Sequence, residues 1–342
     1  MLSSFFSRYL PLINAEMRRA IGDETMLYAG HYGMLRYHMG WLDQAFAPVN
    51  ISTGKRIRPL VCLLACEALH GDPAAALPAA AALELVHNFS LIHDDVEDDS
   101  PLRHHRATVW ALWGVPQAIN AGDALFTLAR LALQRLPDTL PASVQLAAYA
   151  VFDRACLRLT EGQYLDMSFE QRLDVSVDEY LAMIGGKTAA LLSASVEMGA
   201  LLSGTDATAR SHLTEFGYNL GVAFQIQDDI LGIWGDEEVT GKSAASDILT
   251  RKKSLPVAHA LHHPAVATAM RARYAQPITS ADVPAVLALL EEAGSQAYAR
   301  AQTEAAHSAA LAALQRSGVV VADNPAGLAL LELAETLLRR DR

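Results

Sequence analysis

Residues 78–99 read PAAAALELVHNFSLIHDDVEDD. Leu83, Val86, His87, Leu91, Asp94 and Asp98 recur at steps of three and four. That is the period of one helix face, not the alternation of a strand. A second stretch, 207–236, repeats the pattern with Leu213, Gly217, Leu220, Phe224 and Asp228. Gly217 and Gly221 lower helix propensity there and predict close approach of a neighbouring helix. Similar spacing predicts helices near 8–22, 59–70, 116–135, 142–166, 178–203, 254–262, 283–316 and 325–340. Breaks are expected at Gly71-Asp72-Pro73, Pro137–Pro141, Gly204-Thr205-Asp206 and His262–Pro264. With no strand-rich block, long linker or repeat, the 342 residues read as one all-α domain, a large helical bundle.

Composition narrows the function classes. Hydrophobic residues make up 51% and charged residues 19%, which excludes a disordered chain. Net charge is −11, so binding to nucleic-acid backbone is not expected. The three cysteines, Cys62, Cys66 and Cys156, are too few and too scattered for a disulfide framework. They predict buried thiols in a reducing compartment. The N-terminus lacks a signal-peptide plan, and no run of about 18–20 uninterrupted apolar residues predicts a membrane span. The expected location is the cytoplasm.

The end of the opening stretch carries the chemistry. Asp94, Asp95, Glu97, Asp98 and Asp99 place five carboxylates in six residues. Like charges at i, i+4 destabilise a helix. Such a cluster is either a solvated helix end or a cation site. Hard oxygen donors at this density suit Mg²⁺, which binds one or two carboxylates together with substrate phosphate. Phe224-Gln225-Ile226-Gln227-Asp228-Asp229 sets a second Asp pair on another apolar helix. Two such pairs facing one another, with Mg²⁺ between, would grip a diphosphate and make it a good leaving group.

Cations complete the inventory. They are Lys55, Arg56 and Arg58 in GKRIRP, Arg103 with Arg106, Lys187 after Gly185-Gly186, Lys242, and Lys252. Each alone is a surface charge or half of a phosphate clamp. Pro59 suits a first helical position, which would leave Lys55 and Arg58 at a helix entrance. Gly185-Gly186 predicts a local break that aims Lys187 and Thr188 inward. Gly241-Lys242-Ser243 is not a P-loop, because position 236 is Asp rather than Gly.

Seven segments occur in one order: GKRIRP, LIHDDVED, INAGD, EGQYLD, GGKTA, FQIQDDIL and WGDEEVTGK. In these the chain resembles the trans-isoprenyl diphosphate synthases, including the geranylgeranyl and farnesyl diphosphate synthases. The resemblance runs from about Gly54 to Ser254. It implies an all-α fold around a deep central cavity, a homodimer, and about three Mg²⁺ ions. Asp94, Asp98 and Asp228 would ligate the metal, with Asp95 and Asp229 supporting them. Arg103, Lys187, Thr188, Gln225 and Lys242 would contact the allylic diphosphate, with Lys252 assisting. Lys55, Arg58 and His87 would hold isopentenyl diphosphate. The implied reaction is ionisation of the allylic diphosphate, condensation with isopentenyl diphosphate, and loss of a proton.

The chain departs from the pattern twice. Arg103-His104-His105-Arg106 stands where the family has two arginines and a glycine, so His104 occupies a position that would hold isopentenyl diphosphate. An imidazole is largely neutral at pH 7 and has no guanidinium fork. Arg106 is the nearest guanidinium that could reach back. Gly232 stands where a third Asp is common. Asp228, Gly232 and Asp236 also have the spacing of a class I terpene cyclase triad, though Gly232 has no ligand atom. A cyclase-like enzyme and a non-catalytic regulatory subunit therefore remain as alternatives.

In the family, bulky residues about one turn before the first Asp motif form the floor for the growing chain. Phe89 lies five residues before Asp94, roughly 7.5 Å along a helix, and Ser90 four. A single aromatic there resembles the pattern of C20 synthases. The expected product is geranylgeranyl diphosphate.

Overall fold

Apolar side chains at helical spacing build helices along almost the whole chain. A computed structural model describes residues 1–22, 26–51, 53–235 and 245–338. The chain forms two compact units, Met1–Phe152 with Ser195–Thr205, and Asp153–Ala194 with the chain from Asp206 onward.

The first unit contains α1 (Leu2–Ile21), α2 (Ala29–His38), α3 (Ile57–Ala68) and α4 (Pro73–Glu97). After a short hairpin come α5 (Val109–Trp113), α6 (Val115–Leu133) and the start of α7 (Ala142–Phe169). The hairpin pairs β1 (Leu102–Arg103) with β2 (Arg106–Ala107). Helix α4 is the axis of this unit and packs on α6, α3 and α1. Asp72 caps its start by accepting from Ala74 N at 2.9 Å, and Pro73 opens its first turn. Ala79 through Leu83 are fully buried, as expected for a helix apolar on every side. By length and composition α4 could cross a membrane, but 67% of its most apolar window is buried within the protein. It is a core helix.

The second unit contains the rest of α7, then α8 (Val177–Ile184), a π-helical turn (Gly185–Ala189) and α9 (Ala190–Leu202), whose end belongs to the first unit. Next come α10 (Ala207–Trp234), α11 (Ser246–Leu249), α12 (Leu255–His262) and α13 (Ala267–Tyr274). The last helices are α14 (Val283–Glu292), α15 (Ser295–Arg316) and α16 (Pro325–Leu338). Helix α10 starts on Asp206, whose carboxylate accepts from Thr208 N and Ala209 N, and packs along α15.

Several boundaries differ from the sequence reading. Helix α1 begins at Leu2 and tolerates Pro11 inside it. The expected helix at 283–316 is two, because Gly294 takes a left-handed φ of 65° between them. Helices α2 and α13 have no counterpart among the expected helices. Gly30 and Gly33 weaken α2, yet burial of Met34, Leu35 and Tyr37 overrides propensity. Pro59 is the third rather than the first residue of α3, so Arg58 lies within the helix. The three thiols are free and buried, as expected.

One buried ion pair ties α3 to α4. Arg56, left-handed at φ 52°, turns its side chain inward and donates to Glu84 Oε1 at 2.7 Å. Asn88 Nδ2 donates to the same oxygen at 3.2 Å, and Arg56 also donates to Thr53 Oγ1 at 2.9 Å. Both charged side chains are under 9% exposed. Removing one partner leaves the other buried and unpaired. Glu84→Ala should lower the unfolding free energy by about 3–5 kcal/mol in a denaturant titration; an unchanged midpoint would contradict this role.

Candidate active site

Within the first unit the acidic run sits at the C-terminal end of α4. Asp98 is the C-cap residue rather than part of the helix, and Asp99 is left-handed at φ 49°. Negative charge at a helix C-terminus opposes the macrodipole, and the last turn contains no basic residue. Asp94 is half-buried and Asp98 exposed, while Asp95 is 2% exposed. Asp95 Oδ1 accepts from Arg103 Nε at 2.8 Å. Its Oδ2 is buried without a partner. Burial pushes this carboxyl up to about 6 against the opposing pull of Arg103. The two neighbours thus divide the work: Asp95 aims Arg103, and Asp94 keeps contact with solvent.

Arg103 belongs to the hairpin whose tip is His104-His105. Both tip residues have positive φ, 50° and 60°, in a two-residue connection that ordinarily selects Asn and Gly. His104 is exposed at the tip, and burial, Arg103 and His105 together push its imidazole down. Arg106 does not reach back. It stacks over Tyr37 at 4.2 Å and donates to the carbonyls of Tyr37 and Leu42, both at 3.1 Å. It fastens the hairpin to the last turn of α2 and the segment after it. Behind the hairpin lies a partly open pocket of about 30 Å³ lined by His38, Asn88, Asp95, Arg103, His104 and Arg106, among others.

Lys55 is exposed ahead of α3, and Arg58 is half-buried with its Nε lacking a partner. Burial, then Arg58, Arg103, Arg56 and His38, push His87 far down. These neighbours favour the neutral imidazole. Half-buried His38 is pushed down to about 3 by desolvation and by Arg103, Arg56 and Arg106.

Phe89 meets His93 edge-on at 5.0 Å and Phe126 of α6 at 5.1 Å between ring centroids. Ser90 donates to His87 O at 2.8 Å and adds no bulk beside Phe89. Gly122 of the INAGD segment lets His93 lie against α6, where a Cβ would strike the imidazole. Phe126 does not stand out in the sequence, because one aromatic on a core helix gives no signal of its own.

In the second unit the π-helical turn occupies the predicted break. A Cβ at Gly162 would fall on the Lys187 backbone nitrogen, and one at Gly186 would lie 2.5 Å from Arg158 O. The two glycines let α7 and the turn touch backbone to backbone. Lys187 Nζ then reaches Asp166 Oδ2 at 2.6 Å, and Thr188 donates to Gln225 Oε1 at 2.7 Å. Gly221 admits Ala189, whose Cα would be 2.6 Å from an added Cβ, so the close approach expected for α10 is present.

Asp229 is fully buried and draws four donors. They are Tyr180 OH at 2.5 Å, Lys252 Nζ at 3.0 Å, Leu255 N at 3.1 Å and Gln225 Nε2 at 3.2 Å. Burial lowers Lys252, but Asp229, Asp247 and Asp166 outweigh it and hold the ammonium charged. Asp228, beside it, is half-buried. Lys242 and Asp236 lie outside the described residues.

Among the described residues no three His, Cys, Asp or Glu side chains converge to enclose an ion on their own. Oxygen donors in two separate pairs fit Mg²⁺, whose remaining positions go to water and substrate oxygen.

Acidic pairs, each with a buried member tied to a cation, on an all-α scaffold fit the chemistry of a diphosphate-handling enzyme. A sequence model of the polyprenyl synthetase family matches residues 39–290. The chain belongs to that family of trans-prenyltransferases. It is 41% identical over 313 residues to a (2E,6E)-farnesyl diphosphate synthase of Mycobacterium tuberculosis, covering 90% of this chain and 85% of that one. It is also 41% identical over 284 residues to a geranylgeranyl diphosphate synthase of the same organism, covering 82% and 80%. A solved polyprenyl synthetase of Streptomyces coelicolor A3(2) aligns with a TM-score of 0.88 at 36% identity, covering 99% of this chain and 100% of that one. These relatives place the chain among chain-elongating prenyltransferases and do not separate the C15 from the C20 product. The expected special likeness to geranylgeranyl synthases is thus reduced to the family.

Gly162→Ala should force the π turn away from α7. We expect a loss of about 1–3 kcal/mol in unfolding free energy together with reduced turnover, since Lys187 moves with the turn. Full stability and activity would contradict the backbone contact.

Proposed function

We propose that the protein is a geranylgeranyl diphosphate synthase acting as a homodimer in the cytoplasm, with residues 1–342 forming one synthase domain. The observation that carries the C20 reading is the aromatic pair Phe89–Phe126 beside small Ser90, about one turn before Asp94, which in this reading is the floor for the growing chain. An exposed face on α7, with Leu146, Leu157 and Tyr164, supports pairing with a second copy.

In this reading Asp94, Asp98 and Asp228 would hold about three Mg²⁺ ions, which would supply charge neutralisation of the diphosphate. Arg103, Lys187, Lys242 and Lys252 bind the allylic diphosphate, and Thr188 and Gln225 orient it. As the allylic C–O bond breaks, these cations take up the charge gathering on the leaving diphosphate. Lys55, Arg58 and neutral His87 hold isopentenyl diphosphate so that its double bond attacks the allylic cation. A new C–C bond forms, and the proton lost passes to the released diphosphate. Asp95 and Asp229 position Arg103 and Lys252 and need not touch substrate.

The test is a product assay with Mg²⁺, isopentenyl diphosphate and C5, C10 or C15 allylic diphosphates offered separately. A C20 alcohol after dephosphorylation is expected. A C15 product would overturn the chain-length reading, and hydrocarbon without elongation would favour a cyclase. Phe89→Ala should lengthen the product, and Phe89→Ala with Phe126→Ala should lengthen it further; unchanged lengths would remove the floor.

His104 should make isopentenyl diphosphate binding pH-dependent. Its imidazole sits below the ordinary value, so it is neutral at pH 7 and gains charge only on acidification. The KM for isopentenyl diphosphate should therefore fall as pH drops toward 6. His104→Arg should lower that KM roughly tenfold at pH 7.5 and flatten the dependence. Identical profiles in both proteins would exclude His104 from the site.

A further inference from the structure

The end of α12 carries an imidazole pair that the prenyltransferase reading does not use. His259 lies in the helix and His263 caps it four residues later. Side chains at that spacing meet on one helix face. The two ring centroids are 5.7 Å apart, with the planes inclined at 45°. Both residues are half-buried.

The surroundings set these rings up as ligands rather than as charges. His259 stacks on Tyr298 of α15, 4.2 Å between centroids and 15° from parallel, which fixes the plane of the imidazole. Its Nδ1 lies 3.0 Å from the hydroxyl of fully buried Ser295. An oxygen held on one ring nitrogen is what orients metal-binding histidines, because it settles the tautomer and leaves the other nitrogen for the ion. With Nδ1–H donating to Ser295 Oγ, the lone pair of His259 is on Nε2. His263 Nδ1 is buried with no hydrogen-bond partner. Desolvation and the neighbouring His263 also push His259 below its ordinary value, toward the neutral form that a metal needs.

We propose that His259 and His263 form a site for a divalent transition-metal ion such as Zn²⁺, Ni²⁺ or Cu²⁺. Two imidazoles on one tetrahedral ion, each bound at about 2.0–2.1 Å, put their ring centroids roughly 5 Å apart. The pair therefore closes on an ion with a small side-chain adjustment. Among the described residues no set of three His, Cys, Asp or Glu side chains gathers here, so water completes the coordination. Imidazole suits these ions and carboxylate oxygen suits Mg²⁺. The site and the acidic pairs thus select different metals. An ion on the two rings would staple the end of α12, the eight-residue helix whose first N–H meets Asp229.

The test is calorimetric titration of Ni²⁺ into the full chain without an affinity tag, with Mg²⁺ in large excess to occupy the carboxylates. One ion per chain that Mg²⁺ does not displace is expected. His259→Gln and His263→Gln should each weaken it at least roughly tenfold. The double variant should lose little more than either single one, since a lone imidazole does not chelate. Cu²⁺ on the wild type should show two nitrogen ligands by electron paramagnetic resonance, and one in either single variant. His263→Gln breaks no hydrogen bond at Nδ1, so it decides the matter even if His259→Gln fails to fold. Equal Ni²⁺ binding by wild type and both single variants, or binding that depends on His262 instead, would overturn the proposal.

Discussion

A carboxylate with no solvent exposure survives as an anion only when donors replace its water. Asp229 meets that condition with a phenol from α8, a side-chain amide from its own helix α10, an ammonium from the segment after α11, and a backbone N–H at the start of α12. Helices α8, α10 and α12 pack in one apolar cluster with Ile184, Ile226, Ile230, Leu255 and Ala258, and the buried charge lies within it. Withdrawing it would leave Tyr180 OH and Leu255 N without their acceptor and Lys252 with Asp247 alone at 3.6 Å. The position of Lys252, the orientation of Gln225, and through Gln225 the hydroxyl of Thr188 all follow from one buried anion.

The first unit solves the same problem less completely. Asp95 has one oxygen on Arg103 and the other without a partner, so its proton is held more tightly than an ordinary carboxyl would hold it. The difference lies in local supply: the end of α4 is crowded with other acids and has no basic residue in its last turn. Both Asp pairs nevertheless show the same division, with the second Asp buried on a cation and the first left in contact with solvent. This division follows from helix geometry. Adjacent residues differ by about 100° around the axis, so one of a consecutive pair faces the core when the other faces out.

Much of this architecture is legible in the amino-acid sequence. The three-and-four spacing of 78–97 and 207–234 marks core helices, and Asp72-Pro73 and Asp206 mark their starts. The pair Gly185-Gly186 marks a break, and a π turn stands there. What the sequence hides depends on long-range packing. Arg56 sits beside Lys55 and Arg58 in one basic run, and only its contact with Glu84 separates it as an anchor. Tyr180 and Phe126 are ordinary apolar positions until Asp229 and Phe89 are placed beside them. Gly232 reads as a lost carboxylate in sequence, yet in space a Cβ there would meet the Asp247 carboxylate. Arg106 looks available for substrate in sequence, but two backbone carbonyls, those of Tyr37 and Leu42, hold it. Helix α2 is hidden because its glycines oppose helix formation and its burial is a tertiary effect.

The three buried cysteines give the protein native reporters of its own motion. Burial raises Cys62 and, with help from Asp72 and Glu67, pushes Cys66 up to about 12, so the reactive thiolate is scarce in the folded state. A thiol reagent in solution meets them only when α3 or α7 opens. The rate of labelling at Cys62 and Cys66 therefore measures opening of the helix that begins just after Arg56, and labelling at Cys156 that of α7. Substrate binding that tightens either helix would register as slower labelling, without any introduced probe.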